Sequence, residues 1–522
     1  MAREINGRIV VSGQLQTLGP LHVGTGVPSP ETDLPLARNG MGELYVPGTS
    51  LAGALRSWCE DTLGVFEDTP DDEPNARVIR EVFGPLVPKK TDQGRASYLF
   101  VEDARVQWGR LAAETEIRDG VAIDRQWGVA ATRFKFDRAI LPRGTRLDLR
   151  LILELPVHRD AEARGLLRHL VMGLRRGDVR LGAGKTRGMG RVRLDGVEQV
   201  RFEQVDCRAG ILRILRDEHD PNDDPLAQAT ALNVLPSSRL EVHIGWSAVG
   251  PVMVKSGAEG LTVDMLPLLS DDGEGLAPVI PGSSIKGVLR GQSERIVRTV
   301  LGIDGADRWP DQPYLRFPAQ LAEVPLVNQM FGAPGSATGE SPAGQGALFV
   351  EDAYAQPLGG ALGSDGWLSI GEDTNLRTFL NDAGRQDWTV AHHVAIDRWT
   401  GGAAEAFLYS VLEPWGEAWS PCQLALDLAR LPESLTQPAV VLLLMLLRDL
   451  AAQRLPIGFA GNRGMGEVRI TQIELAGATE RAGLGAEPLT LPNGDLSAVP
   501  QNLRKSLTET WQAWLEEERG QL

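Results

Sequence analysis

The chain has 522 residues, 42% of them hydrophobic and 23% charged, which allows a packed core of two large or three ordinary domains and excludes wholesale disorder. Its three cysteines, Cys59, Cys207 and Cys422, lie far apart with no CxxC pair, which excludes a disulfide framework and a thiolate zinc site and fits a reducing cytosol. A net charge of −16 is a poor prior for a polyanion binder, yet residues 1–204 carry 30 Lys/Arg against 28 Asp/Glu (+2) and the remainder 23 against 41 (−18).

In chain order, MAREINGRIVVSG lacks the apolar core of a secretory signal, and Ile9–Leu15 has the β-branched character of a strand. Pro47-Gly48 turns the chain, and Ser50 is expected to N-cap a helix carrying Leu51, Leu55 and Trp58 on one face. The sequence VAIDR at 121–125, followed by Phe134-Lys-Phe136, predicts a hairpin whose aromatics either wedge between bases or pack in the core. Arg146–Leu155 alternates as a half-buried strand, and Glu162–Leu174 has helical spacing. A glycine-rich block follows, then a closing strand at Arg191–Leu194. The order β-α-(β-β)-α-β is that of the ferredoxin-like split βαβ fold, which also underlies the RNA-recognition domain. The longest apolar run, Ala439 to Leu447, is about half a membrane span, so no membrane partner and a cytoplasmic location are expected.

The chain repeats itself. VPGTSLAGALR (46–56) recurs as IPGSSIKGVLR (280–290), with six of 11 positions identical. LFVEDA recurs at 99 and 348, and VAIDR at 121 and 394. LGAGKTRGMGRVRL (181–194) recurs as IGFAGNRGMGEVRI (457–470), with seven of 14 identical. The offset grows from 234 to 249, 273 and 276, so the second copy is the first with insertions, the largest between Asp352 and Val394. The expected organisation is a first domain at 1–204, a linker at 205–235 containing His219-Asp-Pro-Asn-Asp-Asp-Pro225, a second domain at 236–476, and a C-terminal extension at 477–522. Its amphipathic helix, Gln501 to Arg519, either caps the second copy or docks a partner.

Gly182, Gly184, Gly188 and Gly190 interleave with Lys185, Arg187, Arg191 and Arg193. Bare backbone admits a phosphate to N–H groups and the cations neutralise it; a tight turn is the plainer reading. GAGKT is not a Walker A loop, because the first glycine of that motif should sit at Val179 and the second copy has no Lys-Thr pair. Arg463 and Gly464 repeat Arg187 and Gly188. Ser50 with Arg56, and Ser284 with Lys286 and Arg290, lie at helix starts that offer N–H groups to an anion or are simply N-capped. Asp33 lies 14 residues before Pro47, and Asp264 lies 17 before Pro281. Such a loop carboxylate is a turn former, or beside a phosphodiester it positions Mg²⁺ or takes a proton from a ribose 2′-OH. Asp124-Arg125 and Asp397-Arg398 form internal ion pairs or send the arginine to RNA. His22 assists acid–base work or packs, and the second copy lacks it.

PGTSLAGALR, PGSSIKGVLR, the paired VAIDR and the RGMGxV blocks resemble the RAMP superfamily of CRISPR-associated proteins, and more narrowly the backbone subunits of type III effector complexes. The resemblance covers both copies, about 85% of the chain. It implies an α+β protein of two tandem ferredoxin-like (RRM-like) RAMP domains with insertions and thumb hairpins. It implies guide (CRISPR) RNA, complementary target RNA and other CRISPR effector subunits as partners. It also implies target cleavage with Mg²⁺ or Mn²⁺ at a loop Asp, for which Asp33 and Asp264 are the matching positions as catalytic and metal-binding residues. The RNA path then runs past Ser50, Arg56, Arg125, Lys185, Arg187, Gly188, Arg191, Ser284, Lys286, Arg290, Arg398, Arg463 and Gly464. The alternative within the same resemblance is a non-catalytic guide-RNA scaffold.

Overall fold

The architecture was read from a computed structural model, which describes all residues except 1–3, 31, 67, 86–95, 108–114, 219–223, 258, 272–274, 304–308, 334–343, 357, 359–372 and 522. Residues 219–223 of the expected linker 205–235, and part of the large second-copy insertion, therefore lie outside the described residues.

In the first repeat, the strand Ile5–Thr17 pairs antiparallel with Arg146–Pro156 on one side and Val192–Gln204 on the other. Leu99–Val101 and Ala104–Gln107 extend the far edge of Arg146–Pro156. Helices Gly48–Leu63 and Asp160–Arg176 supply Leu51, Leu55, Leu166 and Leu170 to the core beneath the sheet. Numbering its β-α-β-β-α-β strands in chain order, the spatial order is 2-3-1-4.

The second repeat reproduces this order. Leu348–Val350, Cys422–Asp427, Arg239–Ala248 and Val468–Gly477 lie side by side, all antiparallel, with Leu489–Pro492 added at the edge. Helices Gly282–Leu301 and Glu433–Ala451 cover one face. By length and composition Glu433–Ala451 could cross a membrane, but Val440, Leu442, Leu443 and Leu447 are buried in this core. The helix Gln501–Gln521 buries Leu507, Trp511 and Trp514 in the same core. The protein is thus a mixed α+β chain built on antiparallel sheets.

Two compact units divide the chain, and they cut across the repeat boundary. Residues Glu116–Arg138 and Thr186–Gly188 belong to the first repeat by sequence but cluster with Ser238–Leu522; the rest of 1–237 forms the other unit.

The helix starts differ from the sequence reading. Pro47, not Ser50, is the N-cap, and it makes no side-chain cap. The Gly48 N–H is instead bound by the Asp103 carboxylate at 2.7 Å, from 55 residues downstream. The second repeat does the same: Pro281 is the N-cap, and Gly282 N–H donates to Asp352 at 2.7 Å. A carboxylate at the positive end of the helix satisfies an orphan donor and the dipole together. This explains why the Asp of LFVEDA recurs in both repeats.

The two capping aspartates differ in surroundings. Asp103 is exposed, whereas Asp352 also forms a buried ion pair with Arg118 at 2.5 Å. Breaking a buried pair strands a charge and costs about 3–5 kcal/mol, while losing an exposed cap costs about 1 kcal/mol. Asp352→Ala should therefore lower unfolding stability severalfold more than Asp103→Ala in denaturant melts. Equal losses would contradict this assignment.

Candidate functional site

The glycine-rich loops are shaped first by their own backbone. Gly182 (φ +68°) and Gly458 (φ +91°) occupy equivalent places, and a Cβ on either would lie 2.1 Å from the carbonyl oxygen of His22 or Met253. Ala183 N–H donates to that His22 carbonyl, and Phe459 N–H to that of Met253. Gly190 N–H and Gly466 N–H reach Pro20 and Pro251 in the same way. These glycines let the loop lie against the segment that leads into the Asp33 or Asp264 loop. They are spent on protein backbone rather than on a ligand.

Gly188 and Gly464 are equivalent in sequence but not in setting. A Cβ on Gly188 would sit 2.2 Å from the Asp352 carboxylate, so this glycine is closed to RNA, contrary to the sequence reading; a Cβ on Gly464 would meet nothing described within 4 Å.

Several cations expected to hold RNA have protein partners instead. Arg56 donates to Glu60 (2.8 Å) and to the Gly84 carbonyl (2.9 Å), and Arg290 repeats this with Glu294 (2.8 Å) and Gly332 (2.6 Å). Arg125 donates to Glu294 at 2.7 Å rather than to Asp124. Glu294, 1% exposed, thereby accepts from Arg125 and Arg290 and faces Arg298 at 3.5 Å. Arg191 donates to the Gly177 carbonyl at 3.1 Å. Ser50 and Ser284 are half-buried in the first helical turn. Lys185 is half-buried, whereas Arg187, Arg398 and Arg463 remain exposed.

Asp124 and Asp397 form the hairpin turns instead of pairing with their neighbouring arginines. Asp124 Oδ1 accepts from the N–H groups of Gln126 (2.8 Å) and Trp127 (3.2 Å), and Asp397 Oδ1 from Trp399 (2.8 Å). The first hairpin, Glu116–Ile123 with Ala130–Ile140, is fixed within its unit by Arg125, by Gln320 on the Asp124 turn, and by Phe134 against Phe317. The second hairpin, Thr389–Ile396 with Ala403–Glu413, leaves Trp399 94%, Phe407 60% and Leu408 65% exposed. Among the described residues Arg398 has no partner, in contrast to Arg125.

Asp33 is exposed, next to Leu34 and Pro35 on the wall of a cavity of about 260 Å³ whose other side is formed by His22, Gly182 and Ala183. His22 is buried, and its Nδ1 lies 2.7 Å from the Ala139 carbonyl, which can only accept; Nδ1 therefore carries the proton. Asp264 is exposed and tied to the second hairpin. Its Oδ2 accepts from both N–H (2.7 Å) and Oγ–H (2.9 Å) of Ser410, while its own N–H lies 3.0 Å from Ser410 Oγ. These bonds hold the Asp264 carboxyl below the usual range, and His392 adds a smaller push in the same direction. Tyr409, next to Ser410, receives the guanidinium of Arg463 on its hydroxyl and stacks on His393 at 5.2 Å. The hairpin base and the second glycine-rich loop are thus joined by side chains.

The donor set at these aspartates does not fit a metal held by protein alone. Among the described residues no group of three or more His, Cys, Asp and Glu side chains could hold an ion. At Asp264 one carboxylate oxygen is already committed to Ser410.

These features define a duplicated α+β protein in which each copy sets an exposed loop aspartate near a glycine-rich, arginine-bearing loop. The RAMP superfamily model matches residues 14–193 and 247–469, one region in each repeat, and the chain belongs to that superfamily as a tandem two-RAMP-domain CRISPR-associated protein. No curated protein matches the chain.

Lys286 is the clearest departure from the sequence reading. It is 5% exposed and donates to the carbonyls of Leu348 (2.6 Å) and Thr186 (3.3 Å), so it is closed to RNA. Burial first, then Arg187 and Arg290, push its pKa down to about 7. An unfolded lysine holds its proton to about pH 10.4. Between those values the unfolded chain binds more protons, so this group makes the fold more stable as pH rises. Comparing denaturant melts of wild type and Lys286→Met from about pH 7 to 10, the difference should move in favour of wild type with rising pH. A flat difference would contradict the downward shift of Lys286.

Proposed function

We propose that this protein is a backbone subunit of a type III CRISPR RNA-guided effector complex, and that it cleaves target RNA paired with its guide RNA. The observation that carries this reading is the repeated, exposed loop aspartate, Asp33 and Asp264, each in a loop against a glycine-rich element within a RAMP repeat. We take both repeats to be ferredoxin-like (RRM-like), as their shared 2-3-1-4 strand order supports. Sequence specificity in such an assembly comes from base pairing, and the protein contributes backbone contacts. Arg187, Arg398 and Arg463 are the exposed cations best placed for that role.

The chain's own residues can orient the reaction in the second repeat. Ser410 fixes one carboxylate oxygen of Asp264, so the other, Oδ1, is the one available to a ribose 2′-OH. A divalent ion, if required, would have to be carried largely by RNA phosphates and water.

Partner subunits are supported by the unequal repeats. Glu294 is 1% exposed beneath Arg125, whereas its first-repeat equivalent, Glu60, is 21% exposed, and the apex of the second hairpin is bare. These open surfaces suit neighbouring subunits of similar build.

A scaffold that binds guide RNA without cutting is the second reading, favoured by the absence of a metal-ligating cluster among the described residues. Asp33→Ala and Asp264→Ala, each in the assembled complex, separate the two. On the nuclease reading each variant loses one target cut by about 10²–10⁴-fold with guide binding intact. Unchanged cutting in both leaves the scaffold.

A further inference from the structure

The second repeat carries, on its hairpin beside the loop aspartate, an imidazole that the first hairpin lacks. In the second hairpin His392 lies directly opposite Ser410, and His393 opposite Tyr409. Residues opposite one another in an antiparallel pair share a face. His392 is therefore on the face where Ser410 grips Asp264, and its side chain is exposed. The neighbouring His393 is held on the other face by its stack on Tyr409, which fixes the strand beneath both. The first repeat has Asp119 and Gly120 at the matching positions, by the 273-residue offset of VAIDR. Asp119 instead pairs with Lys135 at 3.3 Å, so the first hairpin offers no equivalent imidazole.

We propose that His392 is a catalytic residue of the second site, donating a proton to the leaving 5′-oxygen of the cleaved RNA. This rests on the nuclease reading. The ribose 2′-oxygen attacks the adjacent phosphorus, forming the P–O2′ bond and breaking the P–O5′ bond. The 2′-OH proton passes to Asp264 Oδ1 and then to water, while the His392 imidazolium gives its proton to O5′. The products are a 2′,3′-cyclic phosphate and a 5′-hydroxyl, with no change of oxidation state.

The test uses the assembled complex and two target RNAs, identical except at the linkage cut by the second site. One has the natural 5′-oxygen there, and the other a bridging 5′-sulfur, which leaves without being protonated. His392→Ala should cut the oxygen substrate about 10²–10⁴-fold more slowly than wild type and the sulfur substrate at nearly the wild-type rate. Asp264→Ala should be slow on both. If His392→Ala is equally slow on both substrates, or as fast as wild type on the oxygen substrate, the assignment is overturned. Wild-type complex that cuts neither substrate overturns the nuclease reading itself, and this inference with it. A guide-binding measurement on each variant shows that the assembly is intact, and His392→Gln, of similar size but unable to donate as an acid, should behave as His392→Ala does.

Discussion

Two buried carboxylates, Asp352 and Glu294, decide where the first hairpin goes. Asp352 takes the Gly282 N–H and Arg118, and Glu294 gathers Arg125 with Arg290 and Arg298. Ion pairs of this kind add little net stability against an apolar replacement, because both partners lose water. Their value is in what they forbid: any other placement of the hairpin leaves a buried charge alone. Burial, the largest single influence, pushes Arg118 toward losing its proton, but Asp352, Tyr354 and Glu116 together outweigh it and its pKa is raised. The hairpin is therefore fixed by electrostatics as well as by the Phe134–Phe317 contact.

Duplication explains why the same device is found in two states. Asp103 and Glu60 are the first-repeat counterparts of Asp352 and Glu294, with the same helix-start bond and the same i,i+4 arginine, yet they remain partly in solvent. Among the described residues, Arg118 and Arg125 reach the second-repeat pair, and no such arginine reaches the first-repeat pair. The site residues diverge in parallel: the first repeat has His22 against its loop, and the second has His392 on its hairpin, with Met253 where His22 would be. Equivalent backbones thus support unequal chemistry.

Much of this was legible in the sequence because it is local. Strand alternation at Arg146–Leu155, helical spacing at Glu162–Leu174 and the repeated blocks reflect short-range periodicity, and the strands and helices lie where those patterns put them. What failed was long-range. Ser50 stood at a helix start, but the cap comes from Asp103, 55 residues on from Gly48. Lys286 and Gly188 looked like phosphate ligands until Leu348, Thr186 and Asp352 were brought beside them by tertiary packing. Arg125 and Arg398 share a motif, and only the fold distinguishes the paired one from the bare one. His392 and His393 did leave a signal, a doublet among only seven histidines, placed just before the second VAIDR.

The central claim is that each repeat lays RNA along its glycine-rich loop toward its loop aspartate. Ultraviolet crosslinking of the RNA that co-purifies with the full chain, with crosslinked peptides mapped by mass spectrometry, tests it most directly. Crosslinked peptides are expected around Arg187 and Arg463 and in the loops bearing Asp33 and Asp264. Crosslinks confined to other surfaces, or a chain that carries no RNA at all, would contradict it.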